Sequence, residues 1–246
     1  MEMQFTYTAY RDLLERLKKH GYRCISYDEI PQPEEKVVIL RHDIDTDIAK
    51  AVQLAELEQK CGVHSTYFVL LTSDFYNVFS KKSAEDMQKI LNSGHEIGLH
   101  FDEVRYPEIA GDANICRERI LKEADILSAV IGKTVDKVSY HRPSQKILAA
   151  NIEIPGMINS YSQKYFKDYK YLSDSRRRWR EPVLDIIESK SFDRLHILTH
   201  AFWYCDQEQS LHDTIKNFIY DGNRRRYQSM GENITDLASI MKEEEL

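Results

Sequence analysis

Short apolar runs alternate with amphipathic segments along most of the chain. Apolar residues recur every three or four positions in four segments, a spacing that is typical of helices with one buried face. The predicted helices cover residues 8–20, 48–60, 84–92 and 113–131. Shorter extended runs predict strands at 37–40, 66–71, 95–100, 135–140 and 195–199, with weaker candidates at 157–161 and 183–187. The chain from 210 to 241 is predicted to be mostly helical.

This alternation of strands and helices predicts parallel strands joined by helical crossovers. Polar clusters follow several of the apolar strands. In an α/β barrel the catalytic groups collect at that end of the strands. The pattern therefore favours an α/β barrel, formed as a single domain over residues 1–246. A doubly wound open sheet is the alternative, because periodicity alone does not close a barrel.

Composition narrows the class of protein. The 246 residues include 42% hydrophobic and 30% charged side chains, which is typical of a globular domain and excludes collagen-like and disordered chains. A net charge of −6 argues against nucleic acid as a general partner. No apolar run approaches the roughly 18 residues of a membrane span, and residues 1–10 lack the apolar core of a signal peptide. The sequence predicts a cytoplasmic protein whose four scattered cysteines are reduced.

The first polar cluster is Arg41-His42-Asp43-Ile44-Asp45, at the end of the first long strand. Side chains alternate between the faces of a strand, so Asp43 and Asp45 share one face. Two carboxylates that converge at a strand end tend to be held by a cation or to share a proton. One of them is suited to bind a metal while the other acts as a base. Asp47 is predicted to cap the next helix.

The second cluster, Gly94-His95-Glu96-Ile97-Gly98-Leu99-His100, places a histidine at the end of another strand. Glu96, Gly98 and His100 share a face of that strand. His100 is therefore the candidate metal ligand of this cluster. His95 begins the strand and is predicted to be a hydrogen-bonded structural histidine.

Two further strands end in polar groups. Ser139-Tyr140-His141-Arg142-Pro143 places a cation at the mouth of the barrel. Pro143 is expected to hold Arg142 in an extended conformation. Arg142 is predicted to clamp a carboxylate such as Asp43 through a bidentate pair, with an ordinary surface arginine as the alternative. Leu198-Thr199-His200 delivers an imidazole, which suits a general acid near neutral pH.

The order of these four motifs resembles that of the NodB-type polysaccharide deacetylases (carbohydrate esterase family 4), in the branch with an Arg-His-Asp-x-Asp first motif. The resemblance spans about residues 37 to 204. It implies a distorted (β/α) barrel of about seven parallel strands. It also implies a hydrolase that removes N- or O-acetyl groups from sugars with a divalent metal, most often zinc.

The resemblance implies a role for each matching residue. Asp43 would be the catalytic base, positioned by Arg142. Asp174 is a looser match to the acidic residue that holds this arginine, and His200 matches the general acid. Asp45 would be a metal ligand.

The metal motif departs from the family at one position. His100 matches its first histidine, but the second would fall at Val104. Zinc sites normally use three or four protein ligands. Glu103 is the predicted third ligand, with Asp102 and His141 as alternatives.

A basic stretch gives a hypothesis about the substrate. Arg176 and Arg178 flank Trp179 in a predicted loop, which suits an anionic substrate such as a nucleotide-linked or lipid-linked sugar, with the indole stacking on a ring. A solvated surface loop is the alternative. Trp203, just after His200, is a further predicted substrate contact.

Taken together, the sequence predicts a carbohydrate deacetylase of surface-glycan biosynthesis. Three alternatives stay open: a C–N hydrolase acting on a non-sugar amide, a catalytically degenerate glycan-binding protein, and a metal phosphoesterase. The last lacks the ligands of a two-metal site.

Overall fold

The computed structural model describes residues 3–246. The chain divides into two compact units, Met1–Tyr204 and Cys205–Leu246. The first contains a parallel sheet with its helices, and the second consists mainly of helix. That residues 1–246 form a single catalytic domain stays a prediction. Within residues 3–246 no helix is long and apolar enough to cross a membrane, and no disulfide is formed.

The strands of the described chain are β1 (Arg23–Cys24), β2 (Val37–Ile44), β3 (Thr66–Leu70), β4 (Glu96–Phe101), β5 (Lys137–Tyr140), β6 (Ile158–Asn159), β7 (Lys170–Ser173) and β8 (Arg194–Thr199). The helices are α1 (Tyr7–Lys19), α2 (Ile48–Cys61), α3 (Lys81–Asn92), α4 (Ala113–Ile131), α5 (Gln145–Ala150), α6 (Gln163–Lys167), α7 (Val183–Ser189), α8 (Leu211–Gly231) and α9 (Leu237–Ile240).

All strand pairs are parallel, and seven strands follow one another in the order β6-β5-β4-β3-β2-β8-β7. Strand β1 pairs with the first residues of β2. In the part of the chain that is described, no ladder joins β6 to β7, so the barrel is open on that side. The prediction of a distorted barrel of about seven parallel strands is confirmed.

The longest predicted elements match the structure closely, and one weak strand candidate is wrong. The four predicted helices correspond to α1, α2, α3 and α4. Residues 183–187, predicted as a strand, belong instead to helix α7. Val183 and Ile187 lie one helical turn apart and are both buried. The apolar run Val-Leu-Asp-Ile-Ile is too short for its period to distinguish the two structures.

Helix α2 is delimited by its caps. The carboxylate of Asp47 accepts a hydrogen bond from the backbone N–H of Ala49 at 2.9 Å, as predicted. Gly62 ends the helix in the left-handed conformation, with φ +63°, which costs a glycine nothing. These caps fix where the chain leaves the end of β2 and re-enters the sheet, and so help to place Asp45 just before the helix.

The residues of β2 alternate between two buried environments. Val38 and Leu40 pack against the helices in the larger hydrophobic core. Val37 and Ile39 pack with Phe68 in a smaller cluster inside the barrel. By the same alternation, Arg41 and Asp43 face the interior of the barrel, while His42 and Ile44 face the helices. The first motif is therefore divided between the two sides of one strand.

Gly98 makes room for a ring inside the barrel. A Cβ atom at this position would lie 2.5 Å from the side chain of Phe68, a distance that real contacts do not reach. The Phe68 ring in turn lies under the guanidinium of Arg41, 5.3 Å from its centroid. Glycine is thus required in β4 so that an aromatic ring can support Arg41.

On the helical side of β2, a buried carboxylate collects four donors. Glu58 of α2 accepts hydrogen bonds from Tyr10 at 2.5 Å, Ser65 at 2.6 Å and Tyr67 at 2.7 Å. His42 Nε2 lies 2.9 Å from its Oε1 atom. Burial alone would raise the pKa of Glu58, but His42 and the hydrogen bonds lower it to about 2. This fully paired cluster ties α1 and α2 to the sheet.

Candidate metal and catalytic site

The polar ends of four strands meet at one edge of the barrel. Asp43 lies in β2 and Asp45 follows it, while His100 lies near the end of β4. His141 follows β5, and His200 follows β8. Because all these strands are parallel, their carboxyl ends lie on the same side of the sheet. Residues far apart in sequence thereby converge on one site.

Asp45, His100 and His141 form a candidate metal site. The Oδ1 atom of Asp45 lies 3.2 Å from His100 Nε2 and 3.4 Å from His141 Nδ1. The two imidazole nitrogens are 3.2 Å apart, and the three ligand atoms all lie within 4.8 Å of one another. Asp45 Oδ1 is buried and accepts no well-formed hydrogen bond within the described chain. One carboxylate and two imidazoles are a donor set that suits zinc, so these residues fit such an ion.

The two histidines also affect the acidity of Asp45. Burial would raise the pKa of this carboxyl group, but His100 and His141 hold it well below its ordinary value. A carboxylate ligand has to be ionised to bind a cation. Asp45 meets that condition, and its side chain is 31% exposed, so an ion has access to it.

Glu103, the predicted third ligand, lies outside this cluster. Its Oε1 atom accepts a hydrogen bond from the backbone N–H of Ser144 at 2.8 Å. Asp102 caps a short 3-10 turn by accepting from Val104 N–H at 3.1 Å, and Val104 is 71% exposed. The chain turns immediately after β4, which carries these side chains away from Asp45. His141, one of the alternatives, lies in the candidate cluster with Asp45 and His100.

Asp43 is a buried carboxylate held by Arg41. The guanidinium donates from Nε to Oδ1 at 2.9 Å and from Nη2 to Oδ2 at 2.8 Å. Burial would raise the pKa of Asp43, but Arg41 and His100 lower it. Its Oδ2 atom lies 3.7 Å from His100 Nε2. An ionised proton acceptor therefore stands directly beside the candidate metal site.

Arg41 is itself fixed on several sides. It is fully buried and donates from Nη1 to the hydroxyl of Ser160 at 3.1 Å. Its guanidinium lies 4.7 Å from the ring centroid of Tyr161 and 5.3 Å from that of Phe68. A guanidinium held in this way keeps the carboxylate of Asp43 in one orientation.

The prediction that Arg142 clamps Asp43 is wrong. Arg142 is exposed and has a φ of +52°, so Pro143 does not hold it extended either. The chain turns sharply here because Ser144 caps α5, accepting from Ile147 N–H at 3.3 Å. Arg41 takes the clamping position because residues two apart on a strand share a face.

His200 is oriented by Asp174. Its Nδ1 atom lies 2.6 Å from Asp174 Oδ1, and its backbone N–H donates to Oδ2 at 3.0 Å. Tyr204 donates to the same Oδ2 atom at 3.3 Å. The pairing leaves His200 Nε2 on the side of the site, 3.9 Å from Asp45 Oδ2. The role implied for Asp174, holding Arg142, is therefore wrong, because its carboxylate holds the histidine.

Burial and charge oppose each other at His200. Burial would lower the pKa of its imidazole, but the charge and hydrogen bond of Asp174 outweigh that effect. The carboxylates of Asp45 and Asp43 add to it, and together they raise the pKa to about 9. His200 has the geometry of a proton donor.

The predicted substrate residues are only partly accessible. Arg176 and Arg178 are exposed, and Arg176 and Arg177 both have a left-handed backbone, with φ of 60° and 56°. Trp179 is only 7% exposed and packs in the larger hydrophobic core, so its predicted stacking on a substrate ring is wrong. Trp203 is half-buried, with its ring 4.9 Å from that of Phe202.

Sequence reasoning missed several residues of the site. Ser139 lies two residues before His141, and this spacing predicts that both side chains share a face of the strand. The same spacing relates Arg41 to Asp43 and predicts that they lie side by side. Ser160 and Tyr161 follow a two-residue strand, and nothing in their local sequence marks them.

No family model matches the chain, and no curated protein matches it. Several solved structures are similar to this chain, among them the following three. The peptidoglycan deacetylase PdaC from Bacillus subtilis is 17% identical, with a TM-score of 0.46, over 82% of this chain and 97% of that one. A family 4 carbohydrate esterase from Bacillus anthracis is 18% identical, with a TM-score of 0.46, over 88% and 86%.

The third is a pseudoenzyme of the same family from Bacillus anthracis, 14% identical, with a TM-score of 0.46, over 87% of this chain and 76% of that one. The chain resembles the NodB-type polysaccharide deacetylases in the order of its motifs, and the structures that it matches include members of that family.

Proposed function

We propose that this chain is a metal-dependent hydrolase that removes an acetyl group from a carbohydrate. One arrangement carries the proposal: ionised Asp43 beside the Asp45–His100–His141 cluster, with His200 facing the same cluster. A base, an acid and a set of metal ligands within one small site are what hydrolysis of an amide or ester requires.

The cluster would hold a divalent ion, zinc being the expected one, which when bound supplies Lewis-acid polarisation of the acyl carbonyl. Asp43 accepts the proton of the attacking water. Arg41 keeps that carboxylate anionic and prevents it from rotating. His200 donates a proton through Nε2 to the leaving nitrogen or oxygen, while Asp174 holds its Nδ1 side. Water thus adds to the acyl carbon, and the C–N or C–O bond breaks.

The carbohydrate substrate is supported by the order of the motifs, which resembles that of polysaccharide deacetylases. We further propose an anionic precursor, a nucleotide-linked or lipid-linked sugar, and hence a place in glycan biosynthesis. Two exposed arginines support this: Arg176 and Arg178 follow closely after Asp174, on the loop that orients His200. Guanidinium groups pair well with diphosphate oxygens. The cytoplasmic location stays a prediction from the sequence.

Release of acetate tests the proposal. The zinc-loaded or cobalt-loaded protein is incubated with N-acetylglucosamine oligomers, with a nucleotide-linked N-acetyl sugar and with a small cyclic amide. Acetate from either sugar, absent in the metal-free protein, is the expected result. Hydrolysis of the cyclic amide alone would replace the proposal by a non-sugar C–N hydrolase. Sugar binding without turnover would replace it by a glycan-binding protein.

A further inference from the structure

A buried serine lies between a candidate metal ligand and the candidate base. Ser139 in β5 is fully buried and is the register partner of His100 in β4. Its Oγ atom lies 2.6 Å from His100 Nδ1 and 3.5 Å from Asp43 Oδ1. It is thus the one hydroxyl in the described chain for which hydrogen bonds to both groups are found.

The hydrogen bonds that link His100, Ser139 and Asp43 restrict where the proton of each group can lie. A serine hydroxyl has one proton to donate and lone pairs to accept with, and a neutral imidazole carries one N–H. His100 faces Asp45 and His141 with Nε2, so binding a metal there requires an unprotonated Nε2. The ring proton then lies on Nδ1 and is donated to Ser139. The hydroxyl proton is left to point at the carboxylate of Asp43, whose Oδ1 atom lies 3.5 Å from Ser139 Oγ.

The same serine also fits the metal-free state. Without a cation, the negative carboxylate of Asp45, 3.2 Å from His100 Nε2, favours a proton on that nitrogen. Nδ1 then needs a donor, and rotation of the Ser139 hydroxyl supplies one. Loading a metal therefore reverses the direction of the hydrogen bond between His100 and Ser139. A residue without a hydroxyl at this position satisfies neither state.

We propose that Ser139 is a positioning residue that sets the tautomer of His100 for metal binding and donates a hydrogen bond from its hydroxyl to Asp43. The inference rests on the proposed function, because it takes the Asp45–His100–His141 cluster as a metal site. Partners of this kind behind a metal-ligating histidine contribute about 10- to 100-fold to metal affinity.

Cobalt titration measures this contribution directly through visible absorption of the bound ion. Wild type is compared with Ser139→Ala, with Ser139→Thr, which keeps a hydroxyl, and with Ser65→Ala. The last is the matched control, because Ser65 is an equally buried serine that donates to Glu58 on the other side of the sheet. We expect a Kd raised about 10- to 100-fold in Ser139→Ala, partial recovery in Ser139→Thr, and the wild-type Kd in Ser65→Ala.

The outcomes separate this inference from the proposed function. A wild-type Kd in Ser139→Ala overturns the role of Ser139 and leaves the metal site standing. Absence of cobalt binding to the wild type overturns both. Should Ser139→Ala fail to fold, long-range ¹H–¹⁵N spectra of the zinc-loaded wild type decide. A slowly exchanging proton on Nδ1 of His100, hydrogen-bonded to Ser139, is expected, and an Nδ1 proton that exchanges rapidly with water overturns the inference.

Discussion

Strand β2 carries a buried carboxylate network on each of its two faces, and the two networks differ in completeness. On the helical side, each oxygen of Glu58 has two hydrogen-bonding partners. On the side facing the barrel, Asp43 is fully paired with Arg41, but Asp45 Oδ1 next to it is buried without a well-formed hydrogen bond in the described chain. Complete networks stabilise a fold, whereas an unpartnered buried oxygen calls for an explanation such as an ion.

The comparison shows how one motif serves two purposes. Arg41, Asp43 and Asp45 belong to the candidate site, while His42 between them joins Glu58 to Thr199, whose hydroxyl lies 2.7 Å from His42 Nδ1. The period of two along a strand makes this division possible. Motif residues on the face opposite the site are therefore expected to affect stability rather than turnover.

Neutralising Asp43 and Glu58 one at a time is expected to give the largest difference in turnover. Asp43→Asn removes the proton acceptor, and we expect acetate release to fall about 10²- to 10⁴-fold. Glu58→Gln neutralises a carboxylate that is buried just as deeply and should leave turnover near that of the wild type. Initial rates of acetate release measure the difference. Both variants are loaded with the same metal and assayed at a temperature well below their unfolding transitions. Near-normal turnover by Asp43→Asn would remove this residue from the mechanism.

The affinity for metal should depend on His141 and should not depend on Glu103. His141→Ala leaves two protein ligands, so we expect the cobalt Kd to rise at least about 100-fold, because zinc-type sites normally need three or four. Glu103→Gln keeps an oxygen for Ser144 N–H and should retain the wild-type Kd. Elemental analysis after dialysis checks the stoichiometry. Metal lost from Glu103→Gln but kept by His141→Ala would contradict the assigned ligand set.

The hydrogen-bond network around Glu58 is expected to contribute to the free energy of unfolding. Glu58→Gln turns one acceptor oxygen into a donor that faces existing donors, and we expect the free energy of unfolding to fall by about 2 kcal/mol at neutral pH. Because the pKa of Glu58 is lowered from 4.5 to about 2 in the fold, its contribution is complete above the unfolded value and lost as pH falls toward 2. Denaturant unfolding at several pH values tests whether the difference between variant and wild type shrinks below pH 4.5.

Another buried carboxylate, Glu123 of α4, forms no salt bridge within the described chain, unlike Asp43 and Glu58. It accepts one hydrogen bond, from Tyr106 at 2.7 Å, and burial raises its pKa from 4.5 to about 7. A raised acid pKa destabilises the fold increasingly as pH rises from the unfolded value through the folded one. Glu123→Gln should therefore stabilise the protein by about 1–2 kcal/mol more at about pH 8 than at about pH 5. An equal gain at both values, measured by denaturant unfolding, would show that its charge is not the cause.

The smallest expected effect concerns the arginine loop. Arg176→Ala with Arg178→Ala should raise KM for a nucleotide-linked sugar several-fold while leaving kcat unchanged, because each exposed ion pair contributes only about 0–1 kcal/mol. A neutral N-acetylglucosamine oligomer is the matched substrate, and its KM should not move. Equal effects on both substrates would indicate that the loop does not recognise negative charge.

Much of the fold and part of the site followed from local sequence. The 3.6-residue and two-residue periods predicted α1 to α4 and the main strands, because each element buries one face or alternates faces independently of its neighbours. Alternation also placed Asp43 and Asp45 on one face of β2. The structure shows Asp47 as a cap and His95 as a hydrogen-bonded histidine, with its Nε2 2.9 Å from the Ala55 carbonyl oxygen, as predicted.

Contacts between distant segments were decided by tertiary structure alone. Whether Glu103 or His141 reaches Asp45, and whether Arg41 or Arg142 reaches Asp43, depends on turns of a few residues after β4 and β5. Sequence patterns do not encode the direction of such turns, and an error of a few ångströms exchanges one candidate for another. Asp174 came to hold His200 for the same reason, since the register of β7 with β8 brings the two together. The sequence determined which residues are available for chemistry at this barrel edge, and the packing of strands determined which of them meet.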